Sequence, residues 1–251
     1  MIEIKDVMKS FENKNVLNHL NVTISSGSIF GLIGPNGAGK STVMGMISRL
    51  ILKDEGEIDF YDLDIAKWNS KELAKKLAIL TQANNIQMKL TVYELVAFGR
   101  FPYSKGKLNE LDKEKIQDAI DYMELNDIKN QYIDELSGGQ RQRAFIAMVI
   151  AQDTEYVLLD EPTNNLDIYH ATKLMRTVRR LCDELGKTVI LVLHDINYAS
   201  FYSDYICAFK DGKIAFYGSA NDVITKENLK KVYNVDFEII IKEGKPLSIY
   251  Y

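Results

Sequence analysis

One run of residues has the composition of a phosphate-binding loop. Gly34-Pro35-Asn36-Gly37-Ala38-Gly39-Lys40-Ser41-Thr42 satisfies the pattern G-x-x-x-x-G-K-[ST], between an apolar strand-like run and a stretch with helical spacing. Glycines let backbone N–H groups surround a phosphate, and the helix start adds its positive dipole end. In such a loop, Lys40 reaches the β- and γ-phosphates and the Ser41 hydroxyl binds Mg²⁺.

Two adjacent carboxylates follow another apolar run, Tyr156–Leu159. Ligands of parallel α/β sheets bind beyond the carboxyl ends of the strands, so Asp160 is expected to face the same crevice as the phosphate loop. There it would hold Mg²⁺, through water, while Glu161 would polarise an attacking water. Taken alone, Asp-Glu at a strand end is also compatible with a solvated turn.

A second anion-binding helix start is predicted at Leu136-Ser137-Gly138-Gly139-Gln140, directly before a long apolar helix. Ser137 is a good N-cap, and the glycines expose backbone N–H groups. The segment has no lysine and lies away from the first loop along the chain. One chain thus has two half-sites for phosphate, although this pentapeptide alone would be read as an ordinary capped helix.

The elements around these residues alternate between strands and helices. Strands are predicted at Leu77–Thr81 and Thr188–Leu193, which are followed by Gln82 and His194, and this alternation favours a parallel sheet covered on both faces. From Asn84 to Gln152 the pattern is almost entirely helical and predicts an inserted helical segment, with a capping box at Thr91–Glu94. Asp211-Gly212 and Glu243-Gly244 predict two hairpin turns.

Composition narrows the class of protein. The 251 residues include 31 basic and 35 acidic side chains, a net charge of −4, so no basic excess favours a nucleic-acid partner. The longest wholly apolar run, Ala144–Ala151, is far shorter than the roughly 20 residues of a membrane span. No export signal precedes the first strand. Cys182 and Cys207 match no metal or redox spacing and are expected to be buried thiols in a soluble intracellular protein.

In their order along nearly the whole chain, these motifs resemble the ATP-binding subunit of ATP-binding-cassette (ABC) transporters. Gly34–Thr42 is similar to Walker A, Gln82 to the Q-loop and Leu136–Gln140 to the signature. Tyr156–Glu161 is similar to Walker B with its catalytic glutamate, Asn164–Asp167 to the D-loop, and His194 to the switch histidine.

The resemblance implies ATP and Mg²⁺ as cofactors and a homodimer in which one chain's Walker A and the other's signature clamp each ATP. Catalytic roles are implied for Glu161, His194, Gln82 and Lys40. Nucleotide contacts are implied for residues 34–42, for Ser137, Gly138, Gly139 and Gln140, for Asp167 and for Phe11 stacking on adenine; Ser41, Gln82 and Asp160 are the implied magnesium ligands.

Several of these residues have simpler interpretations. An isolated Gln at a strand end is usually solvated, a His after a strand is more often structural, Asp167 also suits a helix start, and Phe11 is also an ordinary hairpin aromatic. His19 and His170 have no comparable placement and are taken as structural or solvated.

The implied fold is α/β, a single ABC ATPase domain over 1–251. It has a P-loop NTPase (RecA-like) core with an antiparallel β subdomain (1–83 and 153–225), an inserted α-helical subdomain bearing the signature (84–152) and a C-terminal helix/β extension (226–251). With no spanning helix, the channel would be a separate permease, served by an extracytoplasmic substrate-binding protein, with this chain on the cytoplasmic face of the membrane.

The segment Val96–Tyr103 resembles the V-A-x-G-R-[YF]-P stretch of subunits that serve iron-siderophore, haem and cobalamin importers. Lys71–Lys76 and Gly99–Ser104 are similar to those of catecholate or petrobactin-type systems. Two alternatives from other classes stay open: a soluble ABC-type scaffold or switch, as in iron–sulfur cluster assembly, and an unrelated P-loop GTPase or kinase. The latter lacks an N-K-x-D motif and leaves the second half-site unexplained.

Overall fold

A computed structural model of the protein describes residues 1–12, 14–82, 88–164 and 166–250. It divides into a first unit, Met1–Trp68 with Leu181–Tyr251, and a second unit, Asn69–Arg180. The second unit includes the predicted helical subdomain and also elements on either side of it. The predicted boundary at 83 and 84 lies outside the described residues, and the domain limits stay a prediction.

The first unit contains an antiparallel sheet and a mostly parallel one. The elements are β1 Ile2–Phe11, β2 Lys14–Ile24, β3 Ile29–Ile33, α1 Lys40–Ile47, β4 Glu55–Phe60, β5 Leu63–Asp64, β8 Thr188–Val192, α8 Ile196–Tyr202, β9 Tyr205–Lys210, β10 Lys213–Gly218, α9 Ala220–Val223, α10 Lys226–Tyr233, β11 Glu238–Lys242 and β12 Lys245–Ile249. The antiparallel sheet has the order β2-β1-β4-β5. In the other sheet, β9, β3 and β8 are parallel neighbours and β10 adds an antiparallel edge.

The parallel strands of this unit place two predicted site residues at one edge. Every residue of β3 and β8 is buried, as expected for central parallel strands. Leu32 lies opposite Val192 in the register, and the Leu193 N–H donates to the Leu32 carbonyl at 3.0 Å. Gly34 and His194 therefore leave the sheet side by side.

The second unit has a parallel strand pair and most of the helices. Its elements are α2 Ser70–Ala74, β6 Leu77–Leu80, α3 Val92–Phe98, α4 Phe101–Ser104, α5 Glu110–Tyr122, α6 Gly138–Ala151, β7 Tyr156–Asp160 and α7 Ile168–Asp183, of which the residues from Leu181 onward belong to the first unit. The predicted capping box is confirmed, since the Thr91 hydroxyl accepts from the Glu94 N–H and the Glu94 carboxylate accepts from the Thr91 N–H. In the parallel register Leu80 lies opposite Leu159, so Gln82 and Glu161 follow at matching positions.

The segment that carries the importer resemblance joins three helices of the second unit. A Cβ at Gly99 would lie 2.1 Å from the Met148 carbonyl oxygen, so α3 and α6 approach too closely for any side chain there. The next residue, Arg100, is buried; its Nε donates to Asp112 on α5 at 2.9 Å and its Nη1 to the Ala151 carbonyl at the end of α6 at 2.9 Å. The Gly-Arg pair is thus explained by packing within this unit.

Replacing Asp112 by Ala is expected to destabilise the protein by about 3–5 kcal/mol, because it leaves the Arg100 charge buried without its carboxylate. Loss of the bond from the Asn109 N–H to Asp112 adds about 1 kcal/mol. Glu110→Ala is the control: its ion pair with Lys113 is exposed, so its cost is expected below about 1 kcal/mol. Equal shifts of the two variants in chemical denaturation would contradict the burial argument.

Element boundaries differ from the predicted ones at several ends. Apolar spacing predicts a helix over Val43–Leu50, whereas the observed helix begins at Lys40, because Gly39, with φ +102°, ends the loop and serves as its N-cap. The sequence pattern predicts a closing pair of strands at Phe237–Ile241 and Leu247–Tyr251. They are observed at Glu238–Lys242 and Lys245–Ile249, and Glu243 and Gly244 between them both have positive φ. The shorter turn brings the second strand forward. Tyr251 lies outside the described residues.

The environment of the cysteines and the length of apolar segments were both predicted from composition. Both cysteines are buried thiols, and burial raises the pKa of the Cys207 thiol to about 12. Among the described helices, none is both long and apolar enough to cross a bilayer.

Candidate functional site

The phosphate loop of the first unit is held from inside by its own lysine. The Lys40 ammonium donates to the carbonyl oxygens of Gly34 at 2.7 Å and Pro35 at 2.9 Å, and the side chain is only 5% exposed. Lys40 is also the first residue of α1, and Ser41 lies exposed on the same first turn. A cation and a helix N-terminus therefore meet in the loop, which is the arrangement that binds a polyphosphate.

The first glycine of the loop is required by its surroundings. Gly34 has φ +137°, and a Cβ built there would lie 2.3 Å from the carbonyl oxygen of Phe209 on β9. Any side chain would have to displace the backbone of the neighbouring strand. The loop is therefore seated on the sheet at its very beginning, which fixes where the following N–H groups point.

Two other predicted residues of the first unit are exposed. His194 follows β8 at the edge that Gly34 also leaves, and the next residue, Asp195, caps α8 through the N–H groups of Asn197 and Tyr198. Phe11 ends β1 with 46% of its surface exposed, and the Lys9 ammonium lies 5.1 Å from its ring centroid. The Phe11 ring is thus accessible at one face or edge for stacking.

In the second unit, Glu161 receives two amide donors on one oxygen. Its Oε2 accepts from Gln82 Nε2 at 2.6 Å and from Asn164 Nδ2 at 2.9 Å. Its backbone φ of +51° is unusual for a non-glycine residue and turns the chain sharply after β7. The two donors fix the orientation of the Glu161 carboxylate. The structure therefore brings together Gln82 and Glu161, which the sequence treated as separate motifs.

The signature helix start has the predicted cap. The Ser137 hydroxyl accepts from the Gln140 N–H at 3.3 Å, and the Gln140 side chain accepts from the Ser137 N–H at 3.0 Å. Gly138 and Gly139 form the first turn of α6, whose N–H groups have no acceptor within the helix. This confirms the capped helix; binding of phosphate there stays a prediction.

Asp167 is hydrogen-bonded by His170, a residue for which the sequence suggested no functional role. Its Oδ1 accepts from the backbone N–H and from the ring Nδ1 of His170, both at 2.8 Å. These bonds, the backbone one first, hold the pKa of Asp167 below its usual value. The spacing of three residues at a helix start is the signal from which this contact was predictable. Asn165, also in the D-loop, lies outside the described residues.

The predicted magnesium ligands are a hydroxyl, an amide and a carboxylate, on Ser41, Gln82 and Asp160. No group of three or more His, Cys, Asp or Glu side chains placed to hold a metal occurs within 1–12, 14–82, 88–164 and 166–250. The oxygen chemistry of the predicted set is what Mg²⁺ prefers, and Gln82 uses its nitrogen, not its oxygen, toward Glu161. The donor chemistry of these residues suits this ion, and their assembly into one site stays a prediction.

The family of the chain follows from comparison with known proteins. The sequence profile of the family described as "ABC transporter" matches residues 17–164, which include the phosphate loop, the signature and both carboxylates. The chain therefore belongs to the ABC transporter family, and within it to the ATP-binding subunits. The predicted fold class, a P-loop NTPase cassette, is confirmed.

Curated relatives that match over their whole length indicate which members of the family this chain resembles. The petrobactin import ATP-binding protein YclP of Bacillus subtilis (strain 168) is 51% identical, with 100% of both chains covered. The petrobactin import ATP-binding protein FatE of Bacillus anthracis is 48% identical, again with 100% of both chains covered. A solved dimeric structure of a post-hydrolysis state of an ATP-binding cassette, bound to ADP and Pi, is 32% identical with a TM-score of 0.77. It covers 87% of this chain and 98% of the solved one.

Proposed function

We propose that this protein is the ATP-hydrolysing, energy-coupling subunit of an ABC importer for iron-siderophore complexes, of the petrobactin type. The observation that carries the proposal is the full-length similarity to two petrobactin import subunits, in a chain with one phosphate loop and one signature helix start. ATP closes two copies onto each other, and hydrolysis with phosphate release reopens them.

Each ATP is bound by the phosphate loop of one copy and the signature of the other. In this proposal Lys40 and the N–H groups of residues 34–42 bind the phosphates, and Phe11 stacks on adenine. Ser137, Gly138, Gly139 and Gln140 of the second copy bind the γ-phosphate, and Asp167 signals between the two sites. The buried Lys40 ammonium, which already donates within the loop, supports the first of these roles.

Hydrolysis depends on the Glu161 carboxylate, which acts as the general base toward water. Gln82 and Asn164 orient it, and His194 donates to the γ-phosphate or positions the water. A base must be held at hydrogen-bond reach of the proton it takes, which the two amide donors on one Glu161 oxygen favour. Ser41, Gln82 and, through water, Asp160 would hold Mg²⁺, which when bound neutralises phosphate charge.

The coupling partner is an integral-membrane permease that works with an extracytoplasmic substrate-binding protein, with this chain as a homodimer on the cytoplasmic face. Support comes from exposed apolar side chains in the second unit, on α3, α4 and α5 and in the segment that precedes α3. These are Met88, Phe98, Phe101 and Leu111, each at least 45% exposed. Apolar surface of this kind suits a groove for a helix of the permease. Nucleic acid is not among the proposed partners.

The test combines uptake and co-purification. Deleting the gene in the source organism is expected to abolish uptake of radiolabelled ferric petrobactin, and the tagged chain is expected to restore it and to co-purify with an integral membrane protein. Haemin and cobalamin uptake, which the sequence left open, should not change. Normal petrobactin uptake without the chain, or a soluble partner only, would favour the alternative of a scaffold or switch.

A further inference from the structure

His170 lies between the D-loop and the signature within the second unit. On one side, its ring Nδ1 and backbone N–H both bond the Asp167 carboxylate at 2.8 Å. Because a carboxylate accepts and does not donate, Nδ1 carries the proton in this bond. The orientation of the ring is thereby fixed by two hydrogen bonds to Asp167, one from the backbone and one from the ring itself.

On the other side, the same ring lies against the first turn of α6. A Cβ built at Gly139 would be 3.2 Å from both Cγ and Cδ2 of His170 and 3.6 Å from its Nε2. A contact at 3.2 Å is closer than carbon atoms normally pack, so the ring occupies the space that a side chain at position 139 would need. The signature glycine therefore admits the imidazole as well as an anion.

A simple helix cap does not explain both contacts. The backbone N–H of His170 alone would satisfy Asp167 as the carboxylate at the start of α7. The second bond, from the ring, and the placement of that ring on Gly139 are additional. The side chain keeps 37% of its surface exposed, so burial does not require this orientation.

We infer that His170 is a positioning residue that ties Asp167 to the Gly138–Gly139 helix start, so that the D-loop and the signature of one copy move together. The inference rests on the proposed function, in which the signature reaches the nucleotide of the partner copy while Asp167 signals between the sites. Because the D-loop and the signature of one copy are linked rigidly, a change at one nucleotide site alters the other.

Two substitutions separate the contacts. His170→Asn keeps a donor at the Nδ1 position and removes the ring from Gly139, whereas His170→Phe keeps a ring and removes the donor. Each is expected to lower kcat for ATP hydrolysis about tenfold and to leave KM for ATP within about twofold. A merely structural role would change thermal stability and would not separate kcat from KM in this way.

The chain offers a matched control, because His19 Nδ1 also bonds an aspartate, Asp6, at 2.8 Å, on the antiparallel sheet of the first unit. His19→Asn and His19→Phe should leave both constants unchanged. When Asp167 is already replaced by Ala, the His170 ring has no carboxylate to bond. Adding His170→Phe to that variant should therefore lower the activity no further.

Wild-type kcat in both folded His170 variants, or a full tenfold loss in the Asp167→Ala background, would overturn the inference. If one variant fails to fold, the other decides. A wild-type protein without ATPase activity would instead refute the proposed function, so the two failures are distinguishable.

Discussion

Replacing Glu161 by Gln is expected to lower ATP turnover by about 10²–10⁴-fold while ATP binding is retained. The amide has nearly the shape of the carboxylate and can still accept from Gln82 and Asn164, but it cannot take a proton from water. With hydrolysis blocked, the closed dimer should accumulate. Phosphate release measures the first effect, and size-exclusion chromatography with and without ATP measures the second.

Glu155→Gln is the matched control for this substitution. Glu155 precedes β7, whereas Glu161 follows it, and its exposed carboxylate pairs with Lys76. Its loss should leave turnover unchanged. Wild-type turnover in Glu161→Gln would mean that another group activates the water, and the proposed hydrolytic role would be wrong.

The glycine-rich loop before α1 and the capped start of α6 were predictable because their structure depends on contiguous residues. A glycine pattern, a lysine and a following helix are contiguous, and the capping box at Ser137 joins residues three positions apart. The same holds for the hairpin turn at Asp211-Gly212, where both residues have positive φ. Local backbone chemistry determines all three.

Contacts between distant segments were not predictable in this way. The bond between Gln82 and Glu161 depends on β6 and β7 being parallel neighbours with Leu80 opposite Leu159. A parallel register between segments so far apart cannot be read from one sequence, although both strands were identified. Gln82 and Glu161 could therefore each be identified from the sequence as candidate site residues, but the hydrogen bond between them could not be predicted.

Packing contacts within the second unit could likewise not be predicted from the sequence. Arg100 was noticed through the family resemblance, but its burial against Asp112 and the end of α6 depends on how three helices pack. His170 was set aside because its spacing from the signature shows nothing of the ring lying on Gly139. Residues that act through tertiary contacts leave little trace in local patterns.

The proposed site shared by two copies leads to a second prediction, which needs two inactive variants. Lys40→Met removes the buried charge that is proposed to bind phosphate and keeps a side chain of similar volume. Ser137→Arg puts a large cation into the signature helix start. Each homodimer is expected to lose turnover by at least about 10²-fold, because both of its sites contain the defect. Ser219→Arg, which alters a similar capping box at α9, should remain active.

Mixing the two inactive variants is expected to restore activity. In a mixed dimer, one site combines both defects, but the other has an intact phosphate loop from one chain and an intact signature from the other. With random exchange, half the dimers are mixed and have one intact site of two. The mixture should therefore reach at most about a quarter of the wild-type rate, which is the value for two sites that turn over independently. The ATPase rate at varied mixing ratios should peak at equal amounts. A mixture no more active than its components would mean that each chain builds its site alone, and the head-to-tail dimer would have to be abandoned.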